Sequence, residues 1–201
     1  MAPRDRRCKV NMKDISLIGF MGCGKSSVGK ELASLLPECR LIDLDTYIEE
    51  KQGKNIPEIF NEYGEAAFRR MEREALEEIF SDKSRPSAIL SLGGGTVTSE
   101  QCRQLIRQHT DCFYLRATTD TLLDNLEGHS DGRPMLNPTQ PVEAQSTETS
   151  SEREALRHRI ESLMQTRSPQ YIATAHHIID IDGLSFTQIA DAVEDNILNI
   201  K

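Results

Sequence analysis

Gly19-Phe20-Met21-Gly22-Cys23-Gly24-Lys25-Ser26 follows the spacing GxxxxGKS, which suits the polyphosphate tail of a nucleoside triphosphate. Glycines let the backbone turn its N–H groups inward as a nest for phosphate oxygens. A helix starting at the end of the motif adds partial positive charge at the same place. In that chemistry Lys25 reaches the β- and γ-phosphates and the Ser26 hydroxyl ligates magnesium, while Gly22, Cys23, Gly24 and Ser27 complete the cradle. The setting fits: Ile15-Ser16-Leu17-Ile18 reads as a strand before the loop and Val28 to Leu36 as a helix after it. A chance match in a structural turn is the plainer alternative, and the flanking strand and helix argue against it.

Further along, Leu41-Ile42-Asp43-Leu44-Asp45 ends an apolar run in two acids. At spacing i, i+2 both carboxylates point to one side of a strand, as a metal or hydroxyl site requires. Alternatively, Asp45 caps a helix starting at Thr46, which leaves Asp43 unexplained. Ser91-Leu92-Gly93-Gly94-Gly95 would let a ligand approach the backbone closely, or be a simple turn. In Phe68-Arg69-Arg70-Met71-Glu72, Arg69 is next to an apolar position and Glu72, one turn on, can orient it; a surface arginine is the plainer reading. Arg133 stands in Gly132-Arg133-Pro134-Met135-Leu136, and Arg167 near the end of a helical pattern, where a cation also suits the helix dipole. Cys23 sits inside the phosphate loop. A small residue fits there, yet the loop N–H groups and Lys25 favour a thiolate, so alkylation that ATP blocks is expected.

These residues need a scaffold. Apolar runs at Ser16–Phe20, Arg40–Leu44, Ala88–Leu92, Cys112–Leu115 and His177–Ile181 read as strands. Helical patterns separate them at Glu65–Phe80, Ser99–Gln108, Thr119–Glu127, Glu152–Tyr171 and Ser185–Leu198. Strands alternating with helices predict an α/β fold, a parallel sheet covered on both faces with its ligand beyond the C-terminal strand ends. The polar stretch Asn137–Ser151 has little to bury and reads as part of a mobile lid at about 128–151. Residues 1–12 read as a disordered extension, and 13–201 as a single domain.

Composition narrows the partners. The chain has 201 residues, 37% apolar and 28% charged, with a net charge of −8. That balance argues against a nucleic-acid or membrane binder, and no apolar run approaches the ~18 residues of a membrane span. Cys8, Cys23, Cys39, Cys102 and Cys112 are odd in number and match no metal spacing. Reduced thiols in a cytoplasmic protein are expected.

The series GxxGxGKS, Leu-Ile-Asp-Leu-Asp, Gly-Glu-x-x-Phe-Arg-Arg-x-Glu, Leu-Gly-Gly-Gly, Arg-Pro-Met-Leu and Arg-x-Pro-x-Tyr, in this order, resembles shikimate kinase. The resemblance covers the chain from about Ile15 to its last helix. It implies a P-loop kinase of the nucleoside monophosphate kinase-like fold: a three-layer sandwich with a central five-stranded parallel sheet and a mobile lid. The implied activity is transfer of the ATP γ-phosphoryl to the 3-hydroxyl of shikimate, in aromatic amino acid biosynthesis. Arg69 and Arg167 look like the cations for the shikimate carboxylate, with a backbone contact from Gly94. Asp45 would bind the hydroxyls and take the proton, Lys25 and Arg133 would act on the transferred phosphoryl group, and Ser26 and Asp43 would hold Mg2+. A monomer is expected.

Two departures stand out. Relatives usually carry an arginine against adenine shortly before the lid arginine, but Leu122 to Gly132 contains no Lys or Arg, and only His129 could stand in. A second adenine-side arginine is missing from Asp182-Gly183-Leu184-Ser185-Phe186. The competing readings are another small-molecule P-loop kinase, such as a gluconate or nucleoside monophosphate kinase, and a non-catalytic P-loop binding protein. The kinase relatives do not account for the Asp-x-Asp, Phe-Arg-Arg and triple-glycine set together.

Overall fold

The computed structural model describes residues 12–127 and 148–199, and the account that follows concerns these. A parallel sheet of five strands runs through the molecule in the order β2-β3-β1-β4-β5. The strands are β1 (Asp14–Ile18), β2 (Arg40–Asp43), β3 (Ala88–Ser91), β4 (Thr110–Arg116) and β5 (His177–Asp180). Between them lie α1 (Lys25–Leu35), α2 (Leu44–Gln52), α3 (Ile56–Ser81), α4 (Glu100–His109), α5 (Thr119–Leu126), α6 (Glu148–Thr174) and α7 (Phe186–Asn199). Alternate residues of the central strands feed separate cores. Ile15, Leu17, Ile89, Phe113 and Leu115 pack with α1, α5 and α7 on one face. Ile18, Leu90, Cys112 and Tyr114 pack with α2, α3 and α4 on the other. Both faces being covered, nearly every position of β1, β3 and β4 is buried, as a covered parallel sheet demands. The chain winds to one side of β1 through β2 and β3, then crosses to β4 and β5. This reversal opens a crevice at the C-terminal end of β1.

Several element boundaries differ from the sequence reading. The first strand is Asp14–Ile18 and not Ser16–Phe20, because Gly19 turns away at φ 149° and Phe20 already belongs to the loop. The second strand ends at Asp43, which keeps extended backbone geometry and caps α2 with its side chain. The helix expected from Glu65 is the second half of α3; the first half starts from a capping box between Asn55 and Glu58, and the two meet at Gly64, whose φ of 75° kinks the helix. Helix α6 begins at Glu148, inside the span assigned to the lid. The remainder of that span, the extension at 1–11, and with them Arg133 and His129, lie outside the described residues. No described helix is long and apolar enough to cross a membrane. The four described cysteines are free and buried.

Candidate active site

Beyond β1 the chain makes the phosphate loop. Gly24 holds φ 85°, ψ 17° as the N-cap of α1, a left-handed position that glycine adopts without a side-chain clash. The loop closes over Lys25, whose ammonium donates to the carbonyls of Gly19 at 2.9 Å and Phe20 at 3.0 Å. Ser27 follows on the first turn of α1, beside Ser26 in the same cleft. The loop is thus organised around a desolvated cation at the N-terminus of a helix, a setting for polyphosphate. Cys23 turns its sulfur inward. It is 1% exposed, with Sγ 3.7 Å from Lys25 Nζ, so the expectation of a thiol open to alkylation at the β-phosphate position does not fit this geometry. Only its backbone can serve a ligand.

The acids are placed differently from the sequence reading. They do not share one side of a strand. Asp43 ends β2 and caps α2, its Oδ1 accepting from the N–H groups of Asp45 at 3.1 Å and Thr46 at 3.4 Å. Its other oxygen accepts from Ser26 Oγ at 2.7 Å, and Ser26 Oγ lies 3.1 Å from Ser91 Oγ at the end of β3. A hydroxyl from α1, a carboxylate from β2 and a hydroxyl from β3 therefore meet at one point. Hard oxygen donors with a single carboxylate suit Mg2+, which keeps several waters and shares phosphate oxygens. Among the described residues no cluster of three or more His, Cys, Asp or Glu forms a protein-only metal cage.

Asp45, in the first turn of α2, points toward the glycine turn after β3. A Cβ on Gly93 would lie 2.9 Å from Asp45 Oδ1 and 3.1 Å from Glu72 Oε1. Burial, followed by the nearby Glu72 and Asp43 carboxylates, raises the Asp45 pKa to about 6, with Lys25 opposing. Glu72 is fully buried, and burial pushes its pKa up as well. It accepts from Arg69 Nη1 at 2.6 Å and from Thr96 Oγ1 at 2.5 Å. Arg69 turns out to be no surface residue. Its guanidinium lies against the turn so closely that a Cβ on Gly95 would stand 2.6 Å from Arg69 Cζ. Gly95, which the sequence did not single out, is the glycine that makes room for this cation. Gly94 lines the cleft beside the phosphate loop, and its carbonyl accepts from Tyr171 Oη at 2.5 Å.

Tyr171 belongs to α6, one turn after Arg167. Arg167 is 3% exposed, its Nη1 is buried without a hydrogen-bond partner, and its Cζ stands 5.8 Å over the Phe20 ring. A desolvated cation with a spare donor calls for an anion. Thus α3 and α6 each bring an arginine to the region of the glycine turn, while the phosphate loop and Asp45 border one cleft. Asn125 and Phe186 border the same cleft and were not anticipated; neither lies in a motif.

Residues 21–197 match the family model described as shikimate kinase. The chain belongs to the shikimate kinase family. It is 34% identical over 183 residues to a shikimate kinase of Thermus thermophilus, covering 91% of this chain and 89% of that one. It is 37% identical to the shikimate kinase of Salinibacter ruber over 168 residues, 84% of this chain and 76% of the relative. The fold superposes on the Acinetobacter baumannii shikimate kinase solved in complex with shikimate, with a TM-score of 0.78 and 30% identity, covering 95% of this chain and 97% of the other. The α/β sandwich expected from the strand and helix order is the fold of this family.

Proposed function

We propose that this protein is an ATP-dependent shikimate kinase that forms shikimate 3-phosphate and ADP. The observation that carries the substrate side is Arg167. Burying a guanidinium with an unsatisfied donor is costly unless a ligand completes it, and the shikimate carboxylate is an anion of the right shape for a guanidinium fork. Arg69 supplies the second cation, held from behind by Glu72, and the backbone at Gly94 an added contact.

The nucleotide tail lies in the nest of Gly22, Cys23, Gly24, Lys25, Ser26 and Ser27. Ser26 and Asp43 would hold Mg2+, which would supply positive charge against the phosphate oxygens. Asp45 faces the acceptor and orients its hydroxyls. With a pKa near 6, it is ionised at neutral pH yet basic enough to accept the proton of the attacking hydroxyl. Lys25 leaves the Gly19 and Phe20 carbonyls for the phosphate oxygens and stabilises charge on the transferred group. Arg133, on the segment read as a lid, adds a second cation there. The enzyme acts as a cytoplasmic monomer in this reading.

A coupled assay of ADP release tests the proposal. Turnover of Mg-ATP is expected to depend on shikimate and to be far lower with gluconate or AMP. Equal turnover with gluconate, or none with shikimate in folded protein, overturns it.

A further inference from the structure

We infer that Phe186 is the platform on which the nucleotide base stacks, so that this chain recognises the base through an aromatic face. The inference rests on the phosphate loop being a nucleotide site. The acceptor-side residues, Asp45 and Glu72, lie on the face of the sheet where α2 and α3 pack. The γ-phosphate must point toward Asp45, so the nucleoside has to leave the loop toward the opposite face, where α5 and α7 pack. Two residues of the cleft belong to those helices, Asn125 and Phe186. Asn125 is already committed, donating to the Gly22 carbonyl at 2.9 Å and tying α5 to the loop. Phe186 is not.

Its ring lies against the phosphate loop, so that a Cβ on Gly24 would meet Phe186 Cε1 at 2.6 Å, and yet the residue remains 46% exposed. A phenyl ring that is only the end of a core stripe would be covered like Ile189, Ala190 and Val193, which follow it on the same face of α7 at 1% exposure or less. The backbone before it is fixed: Asp182 accepts from the Thr118 N–H at 3.0 Å and its hydroxyl at 3.1 Å, joining the β5–α7 connection to the start of α5. The sequence offers no arginine on either segment that could take the base instead. An aromatic face binds any base by stacking and needs no hydrogen-bond code.

The test separates the base from the phosphates, using ADP and inorganic tripolyphosphate as probes without shikimate. Phe186→Leu keeps apolar volume against Gly24 but removes the π face. It is expected to weaken ADP binding by about ten-fold or more, the range of a lost base–aromatic stack, with tripolyphosphate affinity unchanged. The chain has no tryptophan, so Phe186→Trp makes the platform its own reporter: its fluorescence should change with ADP and not with tripolyphosphate, and ADP affinity should be retained. Equal losses for both probes in Phe186→Leu, or an indole that does not respond to ADP, overturn the inference. Neither readout requires phosphoryl transfer, so a failed shikimate assay would leave this result interpretable.

Discussion

Arg69 and Glu72 are joined one helical turn apart on α3, Nη1 to Oε2 at 2.6 Å, with the carboxylate side chain at 0% exposure and the guanidinium side chain at 15%. The opposite edge of Arg69 meets Glu65, a contact at 3.0 Å to a side chain that is 49% exposed. These two carboxylates are therefore unequal. Glu72 has no water to replace its partners; Glu65 does.

Glu72→Ala is expected to destabilise the protein by about 2–4 kcal/mol, since it leaves the partly buried Arg69 without its inner partner and the Thr96 hydroxyl without an acceptor. Glu65→Ala should stay within about 0.5 kcal/mol, as exposed pairs do. Urea denaturation of both variants measures the difference, and equal effects would contradict the ranking.

Asp45 gives a pH signature. The proposed role of Asp45 as proton acceptor requires its ionised form, so on that proposal kcat/KM for shikimate should fall as pH drops through about 6, the pKa that burial and then Glu72 impose. Because Glu72 raises that value, Glu72→Gln should move the midpoint downward. Asp45→Asn should lose about 10²–10⁴-fold in turnover. The stability effect has the opposite sign. The folded pKa lies above the ordinary 3.8, so ionising Asp45 opposes folding: there is no penalty below pH 3.8, and it is complete above about 6. Allowing for solvent around this partly exposed side chain, the penalty is on the order of 2 kcal/mol. Asp45→Asn should thus be more stable than wild type at pH 7.5 and equal to it at pH 3.5, as thermal unfolding at the two values would show.

Gly95 is a steric prediction. Its φ of −104° and ψ of −6° suit any residue, so alanine strains no backbone there. The new methyl would collide with the Arg69 guanidinium, the end of a flexible side chain that can move aside. Gly95→Ala is expected to fold with less than about 1 kcal/mol lost and to bind shikimate at least ten-fold more weakly, with ADP binding retained. Unaltered shikimate affinity by calorimetry would show that Arg69 does not need its present position.

The sequence carried the phosphate loop, the sheet and the two arginines because each rests on a local pattern: a fixed glycine spacing, continuous apolar runs, or a cation beside an apolar position. It misplaced Asp45 because strand and helix cap look alike over five residues. Asp43 could be read as a cap only once its Oδ1 was seen against two backbone N–H groups. Helix α2 enters the sequence reading only as an alternative starting at Thr46, because only Leu44 and Ile48 of its nine residues are buried, too few to set a period. Among three consecutive glycines, nothing local marks Gly95 as the one beneath Arg69. Phe186 reads as one more core position of α7, and only its exposure at the cleft sets it apart.

Arg167 offers the sharpest separation of stability from function. In the free protein its Nη1 is buried without a partner, and its compensation is the Phe20 ring at 5.8 Å and the neighbouring Tyr171. Replacing a buried, incompletely paired charge by an apolar side chain of similar length is often neutral or stabilising, by about 1–4 kcal/mol. Arg167→Met should therefore unfold at the same temperature as wild type or a higher one when no ligand is present. Shikimate should raise the melting temperature of wild type by mass action and leave that of Arg167→Met unmoved, because truncating one side of a desolvated charge pair costs about 2–5 kcal/mol of binding. If instead the free variant melts well below wild type, Arg167 is a structural residue. If shikimate still stabilises the variant fully, the carboxylate is held elsewhere.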